Sequence, residues 1–230
     1  MKSAILCLAL AAICSGTIAG CGGEDSTAGR NSGEYVSSSW HDDSVAHLVV
    51  KPTGEVSGYL LVMYGWVYEM TGSVSTSGTL TLSVKDPVTQ QPVPGTTSIG
   101  ACDGAGTCTG TTYAGINQPF QYVLVRQTNK YSGIYRAPLT HDDASPSGTT
   151  WYGIDSNGKG YGFAEGLSGT TSITGEVVDA TGNFTLTSIP SASVAVTISG
   201  DIGTDGTITN GRWVDSMLSG RLSGSRLPLN

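Results

Sequence analysis

An all-β protein built as two tandem small antiparallel barrels of about eight strands each is the fold class this sequence predicts. Three observations carry the expectation. Short runs of alternating apolar and polar residues are separated by Gly, Asn-Gly and Asp-Gly, the punctuation of strands joined by tight turns. Glycine is abundant, at 33 of 230 residues, and no amphipathic helical period follows Cys21. The body of the chain, moreover, reads as one segment written twice. One larger barrel, or a two-sheet sandwich built from both copies, is the competing arrangement.

In chain order, the first element is a leader. Lys2, an apolar stretch from Ala4 to Ile13 and then small residues follow the order of a secretory signal. The stretch is too short to span a bilayer, which needs about 20 apolar residues. Ile18, Ala19, Gly20 and Cys21 then resemble the lipobox of bacterial lipoproteins. That resemblance implies cleavage after residue 20 and a Cys21 that carries a diacylglyceryl thioether and an acylated amine, a membrane anchor of more than one chain. Gly22 stands where an aspartate would resemble an inner-membrane retention signal, so the resemblance implies the outer membrane. Residues 21–32 hold no apolar side chain larger than Ala after the cysteine, and their composition predicts a flexible tether.

Residues 33–130 and 131–230 form the two copies. Gly33, Tyr35, His41, Asp42 and Asp43 recur as Gly133, Tyr135, His141, Asp142 and Asp143, all displaced by 100 positions. Gly54 to Gly58 then match Gly158 to Gly162 at an offset of 104, and the offset returns to 100 where Gly100, Gly106, Thr107, Thr109 and Tyr113 face Gly200, Gly206, Thr207, Thr209 and Trp213. In the second copy, strands are predicted near 131–137, 149–154, 158–164, 170–178, 182–188, 193–202, 206–213 and 217–226. Eight is the number that closes into a small barrel, and the copies join near Thr128 to Lys130. The Gly-punctuated meander is similar in outline to the barrel lobes of surface lipoproteins such as transferrin-binding and factor H-binding proteins, and to avidin-like barrels. Most strands are too short for a transmembrane barrel, whose strands run to about 9–11 residues.

Cys7 and Cys14 leave with the leader and Cys21 takes lipid, which leaves Cys102 and Cys108 in a compartment that permits disulfides. They align with Ile202 and Ile208. A facing pair across a hairpin can be two Ile in one copy and a disulfide in the other, so Cys102 and Cys108 are expected to pair as a staple.

Four groups are candidate sites. His41, Asp42 and Asp43, with their copies His141, Asp142 and Asp143, offer an imidazole and carboxylates that could hold a cation such as calcium. Duplicated aspartates more often shape turns through their own backbone, and catalysis is the least favoured role. Asp155 to Gly160 has a calcium-loop outline, but Lys159 occupies a ligand position and an Asn-Gly turn explains it better. His47 sits in the alternating run Val45 to Lys51 as a partly buried strand residue. The run from Tyr59 to Tyr68 is apolar on both strand faces. It reads either as a strand buried on both sides, at the contact between the copies, or as an exposed partner patch of Tyr59, Tyr64, Trp66 and Tyr68.

Loss of the leader removes Lys2 and leaves ten basic against 18 acidic residues, a formal charge of −8. Binding of nucleic acid through its phosphates is disfavoured by that balance. The chain contains no G-x-S-x-G elbow, no H-E-x-x-H and no phosphate-cradling glycine loop before a helix. No cofactor is expected. A non-catalytic, lipid-anchored binding module of the outer membrane is the leading expectation, with an unknown protein or small molecule as ligand. A periplasmic assembly lipoprotein and a carboxylate-based hydrolase of envelope glycans or peptides are the alternatives.

Overall fold

The computed structural model describes residues 27–40, 44–62, 65–112, 119–166, 169–177, 180–189, 192 and 195–230. The leader, Cys21, the first His-Asp-Asp (His41, Asp42, Asp43), Tyr64 and Tyr113 lie outside them.

Eight strands form the first unit: β1 (Gly33–Ser39), β2 (Ser44–Val50), β3 (Glu55–Val62), β4 (Trp66–Val74), β5 (Thr79–Lys85), β6 (Ser98–Cys102), β7 (Thr107–Thr112) and β8 (Phe120–Arg126). Eight more form the second: β9 (Gly133–His141), β10 (Pro146–Ile154), β11 (Lys159–Glu165), β12 (Thr170–Val177), β13 (Asn183–Ser188), β14 (Thr197–Ile202), β15 (Thr207–Val214) and β16 (Ser219–Arg226). Each strand pairs antiparallel with its successor. β8 returns to β1 through Tyr35↔Arg126, and β16 returns to β9 through Arg226↔Tyr135, so both sheets are closed. Closure within each copy rules out the single larger barrel and the sandwich.

Alternation builds each core. In β5 the residues Leu80, Leu82 and Val84 are buried while Thr79 and Thr81 face solvent, and β13 repeats the pattern with Phe184 and Leu186. The turns at one end of each barrel are set by paired glycines. Gly54 and Gly158 hold φ of 86° and 82°, a left-handed conformation that a side chain resists. In the second, Asp155 Oδ1 accepts from Asn157 N and Lys159 N at 2.8 and 2.9 Å, so Asp155 to Gly160 is a hairpin turn closed by its own carboxylate. β9 and β10 run longer than predicted because the hairpin between them continues to His141 and Pro146.

Composition predicts a flexible tether over residues 21–32, and the described part of that segment is docked on the first barrel. Thr27–Arg30 forms a single helical turn, α1, and Asn31 is fully buried, its Oδ1 accepting from Gly104 N at 3.1 Å. Arg126 Nη2 donates to Arg30 O at 2.6 Å. The second unit repeats the device, with Arg226 Nη1 donating to Lys130 O and Ser132 O at 3.2 and 3.1 Å. The repeat therefore begins at Arg30 and Lys130, three residues before the glycines that open β1 and β9.

Between the barrels, Val36, Val45, Leu61 and Ile134 are fully buried, flanked by Tyr59, Trp151, Tyr161 and Leu227. Ser156 N donates to Ser37 O across this contact at 3.1 Å. Gly153 is required here, because a Cβ would lie 2.5 Å from Val45 Cβ. Gly153→Ala is expected to lower stability by about 1–3 kcal/mol through overpacking and to speed proteolysis at the linker around Thr128 to Lys130. Unchanged cleavage in a limited-digestion time course would show that this contact does not hold the barrels together.

Candidate functional site

The two barrels differ at the end remote from α1, and two cross-strand positions account for it. In the second barrel Ile198 pairs with Trp213, both fully buried. Trp213 Nε1 donates to Thr140 O at 2.9 Å, and His141 packs edge-on against the indole. In the first barrel Ile99↔Thr111 is the last paired rung of β6 and β7, and Ser98 and Thr112, one residue beyond it on each strand, stand at the level of Ile198 and Trp213. The sequence alignment had set Tyr113 opposite Trp213. The structure moves the match to Thr112, because β15 gains a residue at a bulge where Asn210 has a φ of 51°. Two hydroxyl side chains thus replace Ile and Trp, and the first barrel stays open where the second is plugged.

The opening is a cavity of about 250 Å³ lined by Trp40, Ser44, Leu60, Val62, Tyr68, Val84, Val93, Thr96, Thr112 and Phe120. All ten residues lie at or near the strand ends remote from the lead-in. Trp40, which follows β1, turns into the lumen and stacks on Tyr122 with ring centroids 4.6 Å apart. In the same lumen, the Tyr122 hydroxyl and Ser98 Oγ have no hydrogen-bond partner among the described residues, and burial pushes the Tyr122 phenol up to about 12. Tyr68 stacks on Trp66 at the rim, with centroids 6.3 Å apart and Trp66 51% exposed. Burial raises the Tyr68 phenol, and the nearby Asp86 carboxylate raises it further. Asp86 is itself held below the usual carboxylate range by the backbone N–H groups of Thr89 and Val88, so the rim carries a negative charge.

The three described aromatics of the run from Tyr59 to Tyr68 do not form one surface, and Tyr64 lies outside the described residues. Tyr59 packs at the contact between barrels, whereas Trp66 and Tyr68 point to the mouth of the first barrel. Leu60 and Leu61 are buried on opposite faces, one in the lumen and one between the barrels. The second His-Asp-Asp diverges as well. His141 turns to Trp213, Asp142 accepts from Ser219 Oγ at 2.7 Å and lies 3.7 Å from Arg212, and Asp143 Oδ1 accepts from Ser145 N and Oγ. Among the described residues no three His, Cys, Asp or Glu side chains converge as a metal site would require.

Cys102 and Cys108 are bonded, directly opposite one another in the β6–β7 hairpin, at the rung where Ile202 faces Ile208. His47 is buried more fully than its strand position suggested, and its Nε2 lies 3.6 Å from a Glu34 carboxylate oxygen. Sequence reasoning missed the mouth itself. Its available signal was Ser98 and Thr112 standing where the other copy has Ile198 and Trp213.

Fold and site together define a class: a double β-barrel with one sealed and one open lobe. No family model and no curated protein matches the chain. Among solved structures it is similar to a double mutant of the vaccine antigen transferrin binding protein B from Haemophilus parasuis Hp5, at 8% identity and a TM-score of 0.25 over 80% of this chain. The aligned part is 60% of that protein's length. A likeness at this score carries no weight for fold or function, and the architecture rests on the strand pairing above.

Proposed function

We propose that the chain is a lipid-anchored binding protein of the bacterial outer membrane, which takes its ligand in the mouth of the first barrel while the sealed second barrel supports it. One observation carries the reading: the apolar cavity opens at the end of the barrel opposite the docked lead-in. Five residues lie between Cys21 and Thr27, so six residue steps give a reach of roughly 20 Å when extended. An acylated Cys21 would therefore hold the lead-in end near the bilayer and turn the mouth away from it. Strands of seven to nine residues tilted as in small barrels set the mouth roughly 20 Å further out. Concave, mostly apolar sites with a few placed polar groups are the usual form of small-ligand pockets.

The test is titration with the neutral, environment-sensitive dye N-phenyl-1-naphthylamine, using the chain from residue 21 with Cys21→Ser so that no acyl chain competes. Dye fluorescence should rise with saturation. Val93→Trp, at a half-exposed position of the lining, should weaken binding at least about tenfold at an unchanged melting temperature. Equal dye binding by the variant would sink the assignment of the mouth as the site.

A further inference from the structure

The ligand class follows from the chemistry of the wall, and this inference rests on the mouth being the binding site. Two of the polar lining residues, Ser44 and Thr112, are largely buried and bring hydroxyls to the cavity wall. Ser44 is 8% and Thr112 4% exposed, and in the same lumen Ser98 Oγ and the Tyr122 hydroxyl are buried with no hydrogen-bond partner among the described residues. Of the other two lining hydroxyls, Thr96 Oγ1 is satisfied by donating to Val93 O at 2.7 Å, and Tyr68 stands at the rim. Hydroxyls that face a cavity are ordinarily met by water or ligand.

Ser44 and Thr112 both stand at strand ends. Ser44 pairs across with Val62 and Thr112 with Phe120, so the hydroxyls sit at the level of the rim. Leu60 lies two residues further in than Val62, and Trp40 stacked on Tyr122 forms the floor. The cavity is thus hydroxylated at its entrance and hydrocarbon below.

Size and charge narrow the class further. At roughly 30 Å³ per water-sized unit, a cavity of about 250 Å³ accepts roughly eight to nine such units. Val62, Val84, Val93 and Leu60 would strip the hydration of any ion placed among them and return nothing for it. The charged Asp86 beside Tyr68 opposes an anion in addition. We infer that the first barrel binds an uncharged amphiphile of about that size, its hydrocarbon body in the lumen and a hydroxyl or carbonyl group at the rim against Ser44 and Thr112.

Calorimetric titration at pH 7 of the same Cys21→Ser chain with 1-octanol, octanoate and octylammonium separates the alternatives. Octanol should bind, with octanoate and octylammonium at least about tenfold weaker because each must bury a charge. Thr112→Val, which keeps the shape and removes the hydroxyl, should weaken octanol about fivefold, the worth of one hydrogen bond, and by a larger factor than it weakens the naphthylamine dye. Either ion binding as tightly as octanol would overturn the class, as would an unchanged octanol affinity in Thr112→Val. In both of those cases, dye entry that Val93→Trp still blocks would leave the mouth standing as the site. Failure of dye and octanol alike would overturn the site together with the class.

Discussion

Trp213→Ala is expected to destabilise the second barrel by about 3–5 kcal/mol, the range for removing a buried Trp, and to melt it ahead of the first. The indole is fully buried, plugs the end of the lumen and satisfies Thr140 O. Its loss removes a large apolar surface and leaves that carbonyl unpaired. Gly220, on the neighbouring β16, offers no side chain to collapse inward, since a Cβ there would already sit 1.9 Å from Thr140 O. Denaturant unfolding followed by near-ultraviolet dichroism would read the effect as an early transition. A single transition displaced by less than about 1 kcal/mol, the level of an ordinary surface change, would show that the plug bears little of the stability.

Replacing both Cys102 and Cys108 by Ala is expected to cost the first barrel about 2–5 kcal/mol, the range for a native disulfide in a small secreted domain. The bridged residues are six positions apart, and chain entropy for so short a loop supplies only about 2 kcal/mol. The remainder comes from packing, because both cysteines belong to the core cluster with Leu80, Leu82 and Leu124. The other barrel supplies the control. Ile202 and Ile208 hold the same rung by contact alone, so Cys102→Ile with Cys108→Ile should recover most of the loss and abolish sensitivity to reductant. Urea midpoints with and without dithiothreitol measure both arms. An alanine pair as stable as the oxidised parent would show the bridge to be dispensable.

What was legible in the sequence was what a gapless repeat preserves. Gly54 with Gly158, Gly106 with Gly206 and Cys102–Cys108 with Ile202–Ile208 all fall at equivalent turns and rungs, because turn glycines and facing core pairs change little when a unit is copied. A one-residue bulge was not legible. Asn210 shifts the register by one and carries Trp213 to the level of Thr112, so the feature that separates the open barrel from the sealed one hides in an ungapped alignment. The lead-in escaped because Asn31 and Tyr131 share a place but not a chemistry: one accepts from Gly104 N, the other offers its carbonyl to the Tyr135 hydroxyl. The aromatic run misled in another way. Tyr59 and Tyr68 read as neighbours in a line, yet one faces the other barrel and one the lumen.

The arginine clasps set how such a chain can change over generations. Arg126 and Arg226 each bind the backbone that opens their own unit, so entry and exit meet at one pole and every unit is complete within its own hundred residues. A unit of that kind can be copied, deleted or exchanged as a cassette without rethreading a strand through its neighbour. Once copied, it is also released from doing everything at once: one lobe can drift toward a filled interior that lends the pair its endurance, leaving the other free to trade its plug for a vacancy.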